Sequence, residues 1–191
     1  VYRRFQETAA TLVQIFDQQP DLVLVDKHPA YLSTQYGEEL SNEKDIPLYK
    51  IQHHKAHFAS VLGEHDLLDT RQGILGVIWD GTGYGDDGHI WGGEFFTFNH
   101  GSMKRAGHFE YFDWLAGDKM SKEPRLSLFS LNSDDQATFL YDKFTEQERN
   151  IYASIKKLNK LKTSSVGRLF DALASLLNIC DINSYEGEAP I

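Results

Sequence analysis

One stretch restricts the fold of this chain more than any other: GILGVIWDGTGYGDDGHIWGGEFFTFNH, residues 73–100. An apolar run, a glycine-rich turn and a second β-rich run predict a hairpin with an enlarged loop. Its centre, WDGTGYGDDG (79–88), carries four glycines in ten residues. Glycine lets backbone approach a ligand closely and adopt positive φ. Successive exposed N–H groups then form a concavity suited to phosphate. The stretch is not GxxxxGK[ST], and strand-like residues rather than a helix follow it, so neither a P-loop nor a dinucleotide turn fits. On local grounds two readings stay open, an anion loop or a plain hairpin turn with DG signals.

The flanking segments place this hairpin in an α/β chain. Residues 2–18 put Phe5, Ala9, Leu12, Val13 and Phe16 at helical spacing. PDLVLVD (20–26) reads as a buried strand ending in an aspartate, 28–40 as a loop and helix, PLYKIQ (47–52) as a strand and 53–65 as a helix. That βαβα order implies a layered sheet with parallel pairing. After the hairpin, 103–113 suggests a third antiparallel strand, and 122–131, 135–160 and 166–178 read as helices, with 157–165 a polar link. The division expected is the end of one α/β unit over 1–70 and the start of a second over 71–191. The second unit would hold a hairpin sheet at 73–113 and a helical segment at 114–191. The chain starts on a helix with no preceding strand and stops at EGEAPI, so it reads as a fragment incomplete at both ends, with a cut edge inviting a homodimer.

Composition excludes some classes. The 191 residues carry a net charge of −9, a poor balance for sequence-independent nucleic-acid binding. Hydrophobic content of 41% with 13% aromatics supports a packed core. No membrane span or signal-peptide core is visible. The one cysteine, Cys180, precludes an internal disulfide, fits a reducing, cytoplasmic setting, and reads as a buried small apolar residue. Trp79, Trp91 and Trp114 read as core or rim residues rather than a base-stacking platform.

IQHHKAH (51–57) is the second chemical signal. On a helix starting near residue 53, His53 and His57 lie one turn apart on one face and can reach one ion. A zinc protease would need glutamate at position 54, where this chain has histidine. Solvated helix-start histidines remain the alternative. Asp80, ending the next apolar strand, is the best third ligand, because neighbouring strands bring their C-terminal ends together where ligand sites form.

A third cluster is KTSSVGRLFDALASLLNIC (162–180). Ser164 or Ser165 could cap the helix, and its exposed amides would favour an anion. Arg168 and Asp171 could equally be a surface ion pair. In KEPR (122–125), Lys122 and Arg125 are either phosphate contacts or helix-start charges. Glu186 and Glu188, in YEGE, have no role derivable from the sequence.

The strand–DGTG–strand pattern resembles the phosphate loops of the actin, sugar-kinase and Hsp70-type ATPase fold, built from ribonuclease-H-like units. In order, DKHPAYLST (26–34), QHHKAH (52–57), DGTGYGDDGHIWGGE (80–94), KEPR (122–125), TSSVGRLFDA (163–172) and YEGEA (185–189) together resemble the HypF carbamoyltransferases of [NiFe]-hydrogenase maturation. The domain concerned is the one those enzymes share with tRNA threonylcarbamoyl-transferases. The resemblance implies carbamoyl-adenylate, made from carbamoyl phosphate and ATP, as donor. The acceptor would be the C-terminal cysteine of the partner HypE, and the group would later become cyanide on iron. It implies a divalent metal (zinc, iron or magnesium) on His53, His57 and Asp80, with a further aspartate from a second half that this chain lacks. Asp80, Gly81, Thr82, Gly83, Tyr84 and Gly85, with Lys122, Arg125, Ser165, Gly167, Arg168 and Asp171, would hold nucleotide and carbamoyl groups, Asp171 on the ribose side. His54 is a weakly supported general base. Lys55 stands where the family commonly has histidine, and Lys27 at a position often apolar. The remaining domains of a HypF chain would be partners. An isolated fragment would be inactive. Alternatives are a tRNA threonylcarbamoyl-transferase, favoured less by the acidic charge and the WGGE sequel, a catalytically silent docking module, and a sugar kinase, for which no sugar-binding signature stands out.

Overall fold

The computed structural model describes residues 1–133, 137–185 and 187–189. Helix α1 (Tyr2–Phe16) leads into strand β1 (Val23–Asp26), helix α2 (Leu32–Lys44), strand β2 (Leu48–Ile51) and helix α3 (His53–Glu64). Strands β1 and β2 pair in parallel, Asp26 opposite Ile51. The parallel pairing expected of the βαβα order is thus present. Because both strands run the same way, the end of β1 and the start of α3 lie at one edge, which brings Asp26 to His53.

The second sheet opens with β3 (Ile74–Tyr84), β4 (Ile90–Asn99) and β5 (Ser102–His108), consecutive antiparallel neighbours. Its strand order is β3-β4-β7-β6, with β5 on β4. The expected third strand over 103–113 is divided. Residues 102–108 pair with β4, whereas β6 (Phe112–Asp113) leaves that partner to pair with β7 (Lys162–Thr163). Strand β7, parallel to β4 through Ile90 and Thr163, lies inside the segment expected to be a polar link.

The helical region holds α4 (Lys119–Lys122), α5 (Pro124–Leu131), a 3₁₀ turn (Thr138–Leu140), α6 (Glu146–Leu158) and α7 (Val166–Leu176). The helix expected over 135–160 is therefore shorter: a capping box, Thr145 with Glu148, starts α6 at Glu146, and residues 134–136 lie outside the described residues. Pro124 sits in the first turn of α5, where its missing N–H costs nothing.

Two apolar clusters organise the molecule. One gathers Trp114, Leu115, Met120, Leu126, Phe129, Phe144 and Tyr152 beneath α5 and α6. The other joins Phe58 and Leu62 of α3 to Trp91, Phe96 and Phe98 of β4. Helix α3 is thus bound into the core of the second sheet, which holds His53 and His57 against β3. On α1 the apolar stripe is real but buries none of its residues, and Phe16 is 68% exposed. Cys180 is only half-buried, its Sγ within 3.4 Å of Ile182 O and Asn183 Oδ1, rather than a core residue.

Candidate metal and phosphate site

Gln52 starts α3: its side-chain oxygen accepts from Lys55 N at 3.0 Å. The helix then presents His53, His54 and His57 toward β3. His53 Nε2 lies 3.0 Å from Asp80 Oδ2, His57 Nε2 3.8 Å from it, and the two imidazole nitrogens are 3.1 Å apart. One ligand atom from each of His53, His57 and Asp80 falls within 4.8 Å of the others.

Asp80 Oδ2 is buried and makes no hydrogen bond of good geometry; its polar neighbours are the imidazoles. Two facing imidazole nitrogens and a carboxylate oxygen left in this state fit a shared cation, and the N,N,O donor set suits a divalent ion. Behind the site, Asp26 Oδ2 accepts from His53 Nδ1 at 2.8 Å. That bond fixes the ring and leaves Nε2 for the ion, the usual arrangement of a carboxylate behind a metal histidine. Asp26 Oδ1 is itself held by His28 N at 2.7 Å. In the sequence alone this aspartate shows only as a strand end, with no role. Its signal was a carboxylate at the C-terminal end of a parallel strand.

The charges follow from this packing. The Asp80 carboxylate raises His53 to about 9, against the lowering effect of burial and with help from Asp26. Burial pushes Asp80 up, but His53 and the Gly81 N–H outweigh it and hold the carboxyl below its ordinary value. Burial lowers His54 to about 4, so it is neutral. His54 Nδ1 faces Gln52 Nε2 at 3.1 Å. Because the Gln52 oxygen is taken by Lys55 N, that contact assigns Nδ1 as acceptor and places the His54 proton on Nε2. In that tautomer a fully buried His54 has no free lone pair to accept a proton. This corrects its candidacy as general base.

Between Trp79 and Gly83 the register of β3 against β4 shifts, so Asp80, Gly81 and Thr82 bulge out of the ladder. Asp80 Oδ1 accepts from Gly81 N at 2.6 Å. Gly83 is obligatory for the close approach of strand to helix: a Cβ there would meet His54 Cε1 at 2.5 Å and His53 Cβ at 2.9 Å. Gly85 belongs to the turn itself, its N–H donating to His89 O at 2.8 Å. Tyr84 and Gly83 line a cleft of about 370 Å³ with His28, Tyr31 and Trp114. A larger cleft of about 550 Å³ shares Thr82, Trp114 and Asp118 with it and is lined by Gly81, Lys122, Arg168, Asn183 and Ser184.

Helix α7 reaches this second cleft through Arg168 in its first turn. Ser165, not Ser164, caps it, accepting from Arg168 N at 3.1 Å, while the Ser165 hydroxyl donates to Gly81 O. Gly167 faces Gly81 across the bulge. Asp171, however, lies on the buried face of α7, fully buried and paired with Arg168 Nε at 2.6 Å. Burial, against the pull of Arg168, pushes it up to about 6. It does not line the cleft, so the ribose contact expected of it has no counterpart in this arrangement. Arg125 is also elsewhere: Glu123, Glu148 and Lys143 O hold its guanidinium over the Phe144 ring. Of the KEPR charges only Lys122 reaches the cleft. Glu188 accepts from Ser184 N and Oγ at 2.5 and 2.8 Å, and Glu186 lies outside the described residues. Trp91 and Trp114 are buried, whereas Trp79 is at the rim, edge-on to Phe109.

Fold and site together define a mixed α/β chain, a parallel strand pair and a larger mixed sheet with helices, carrying a His-x-x-x-His and aspartate cluster beside a glycine bulge. The family models that match are described as the HypF Kae1-like domain, over residues 1–64, and the second subdomain of the carbamoyltransferase Kae1-like domain, over 76–191. The chain belongs to the HypF carbamoyltransferase family. It is 34% identical to carbamoyltransferase HypF of Synechocystis sp., covering all of this chain and 27% of that protein. It is 39% identical to a probable carbamoyltransferase HypF of Methanocaldococcus jannaschii, covering 90% of this chain and 23% of that one. A full-length HypF crystal structure in the phosphate- and nucleotide-bound form superposes with a TM-score of 0.85 at 31% identity, over 98% of this chain and 25% of the other. HypF of T. kodakarensis superposes at 0.77 with 33% identity, over 89% and 24%. The chain thus spans about a quarter of the length of these relatives. No helix among the described residues is long and apolar enough to cross a membrane.

Proposed function

We propose that this chain forms the metal and phosphate part of a carbamoyl-transfer centre, acting with further domains of a HypF-type protein in [NiFe]-hydrogenase maturation. The donor is carbamoyl-adenylate, formed from carbamoyl phosphate and ATP. The acceptor is the C-terminal cysteine thiolate of HypE. The thiolate sulfur attacks the carbamoyl carbon, a C–S bond forms, the C–O bond to the adenylate phosphate breaks, and AMP leaves. One observation carries the reading: His53, His57 and Asp80 converge at the start of the bulge whose next residues, Gly81 and Thr82, line the larger cleft.

In that reading His53 and His57 offer Nε2 and Asp80 offers Oδ2, while Asp26 keeps His53 in the ligating tautomer. A divalent cation held there supplies Lewis acidity and a template for phosphate and carbonyl oxygens. The first turn of α7 would offer backbone N–H groups toward developing negative charge, Gly81 N in the bulge being taken by Asp80 Oδ1. Lys122 and Arg168 add positive charge to the same cleft. The half-buried Cys180 has no part in the transfer.

Metal analysis of the purified protein tests the centre, wild type against the His53→Ala, His57→Ala double variant. About one bound ion in the wild type and its loss in the variant is the expected result; equal content in both removes the site. In a full-length HypF carrying this segment, the same double variant should abolish carbamoylation of HypE. A variant that still carbamoylates HypE at the wild-type rate would end the functional reading.

A further inference from the structure

The largest charged group buried near the bulge belongs to none of the site residues above. Glu94, on β4, is fully buried. Its Oε1 accepts from Ser164 Oγ at 2.5 Å and faces Gly92 N and Gly93 N at 3.3 Å each. Its Oε2 accepts from Arg105 Nε at 2.5 Å. Arg105 lies over the Trp91 ring, 3.8 Å from its centroid, and donates to Asp87 Oδ2 and Tyr111 Oη. The carboxylate therefore has four donors arranged around it and needs all of them, since an ionised group in the interior is tolerated only when paired and hydrogen-bonded.

What that network holds is the step 164–165. Ser164 is pinned by Glu94, and the adjacent Ser165 turns its hydroxyl to Gly81 O while capping α7. Gly92 has no Cβ because one would meet Asp80 O at 2.7 Å and Ser165 Cα at 2.8 Å. Strand β4, the serine step and the bulge are thus stacked in backbone contact, with Glu94 as the charged pin beneath them. We propose that Glu94 is a positioning residue that, through Ser164 and Ser165, fixes the bulge at 80–82 and the first turn of α7 in the arrangement in which Gly81, Thr82 and Arg168 line the larger cleft. This deepens the reading of the cleft as a phosphate site and rests on it for the ligand class, a nucleoside phosphate.

The test is amide hydrogen exchange of the purified protein, Glu94→Gln against wild type, with metal content and ATP affinity measured on the same samples. Gln keeps the volume but removes the charge that Arg105 and Ser164 recognise. Exchange should accelerate about tenfold or more in peptides spanning 79–85 and 164–169 while α5 and α6 are unchanged, as expected for loss of a charge-assisted bond. ATP affinity should fall by a similar factor at unchanged metal content, a split that a general loss of stability would not produce. Exchange at both peptides within about threefold of wild type overturns the proposal, and so does acceleration spread evenly over the protein. Should Glu94→Gln fail to fold, Ser164→Ala removes one hydroxyl from the same carboxylate and must give the same local acceleration; no change there overturns it as well. A wild type that binds no ATP sinks the phosphate reading and with it the ligand half of this proposal, while the exchange result decides the positioning half alone.

Discussion

At His53 two carboxylates flank one imidazole, Asp26 at Nδ1 and Asp80 at Nε2, and the ring is charged at neutral pH because of them. In the absence of a cation a proton therefore occupies the place that metal would take. With His53 raised to about 9, metal uptake at pH 7 should release a proton from it, and affinity should rise with pH up to about 9. Calorimetry in two buffers of different ionisation enthalpy measures that proton; identical heats would contradict the assignment. Asp26 acts one bond further back. Asp26→Asn should weaken metal binding about 10- to 100-fold, read by competition with a chelator, while helix content stays unchanged. Residue identities at this scale were only partly legible. The one-turn spacing of His53 and His57 follows from helical periodicity, and Asp80 from its place at a strand end. The Asp26–His53 bond joins residues 27 apart and exists only once β1 and β2 have paired. Arg125 stays ambiguous in sequence, phosphate contact or helix-start charge, because a charge at a helix start looks the same whether it faces a ligand or a Glu148 folded against it.

At the element scale, the working part is the contact of α3 with β3. The residues at Gly83 and Gly76 have no side chain because His54 and Phe58 occupy that space. Gly83→Ala should cost roughly 1–3 kcal/mol through overpacking against a buried ring. For a chain of this size that lowers the melting temperature by about 2–4 °C per kcal/mol, which calorimetry reads directly. Gly83→Ala should also displace His53 and reduce metal content, whereas an alanine at Gly81, whose Cβ would meet nothing within 4 Å, should leave stability nearly unchanged. The glycine-rich hairpin, the βαβα order and most helices were legible because apolar spacing reports burial. Strands β6 and β7 were not, because a two-residue bridge has no periodicity to read. The bulge was legible as glycine density but not as a register shift, which depends on how β4 is threaded beside it.

For the whole molecule, pH stability has an identifiable contribution from Asp171. Its carboxyl, raised to about 6 by burial, binds its proton more tightly folded than unfolded. The favourable contribution is complete below the ordinary carboxylate range and is lost as pH rises through 6. Asp171→Asn removes this dependence, so the stability difference between variant and wild type should move in favour of the variant between pH 4 and pH 7, on the order of 1–3 kcal/mol. Denaturant midpoints at the two pH values check it, and a difference independent of pH would contradict it. Helices α1 and α7 and strand β3 leave large apolar side chains uncovered: Phe16, Trp79 and Phe170 are each more than one-third exposed.

The ligand set is split by origin, with both imidazoles on the helix that closes the first sheet unit and the carboxylate on the strand that opens the second. Lys27 and Lys55 repeat the split, both reaching Asp86 from the opposite side of the seam. A bound ion would therefore act as a rivet between two plates. Expressed as separate pieces cut in the 65–73 loop, the two should already associate through Phe58 and Leu62 against β4, and hold together more tightly when the ion is supplied than when a chelator withdraws it.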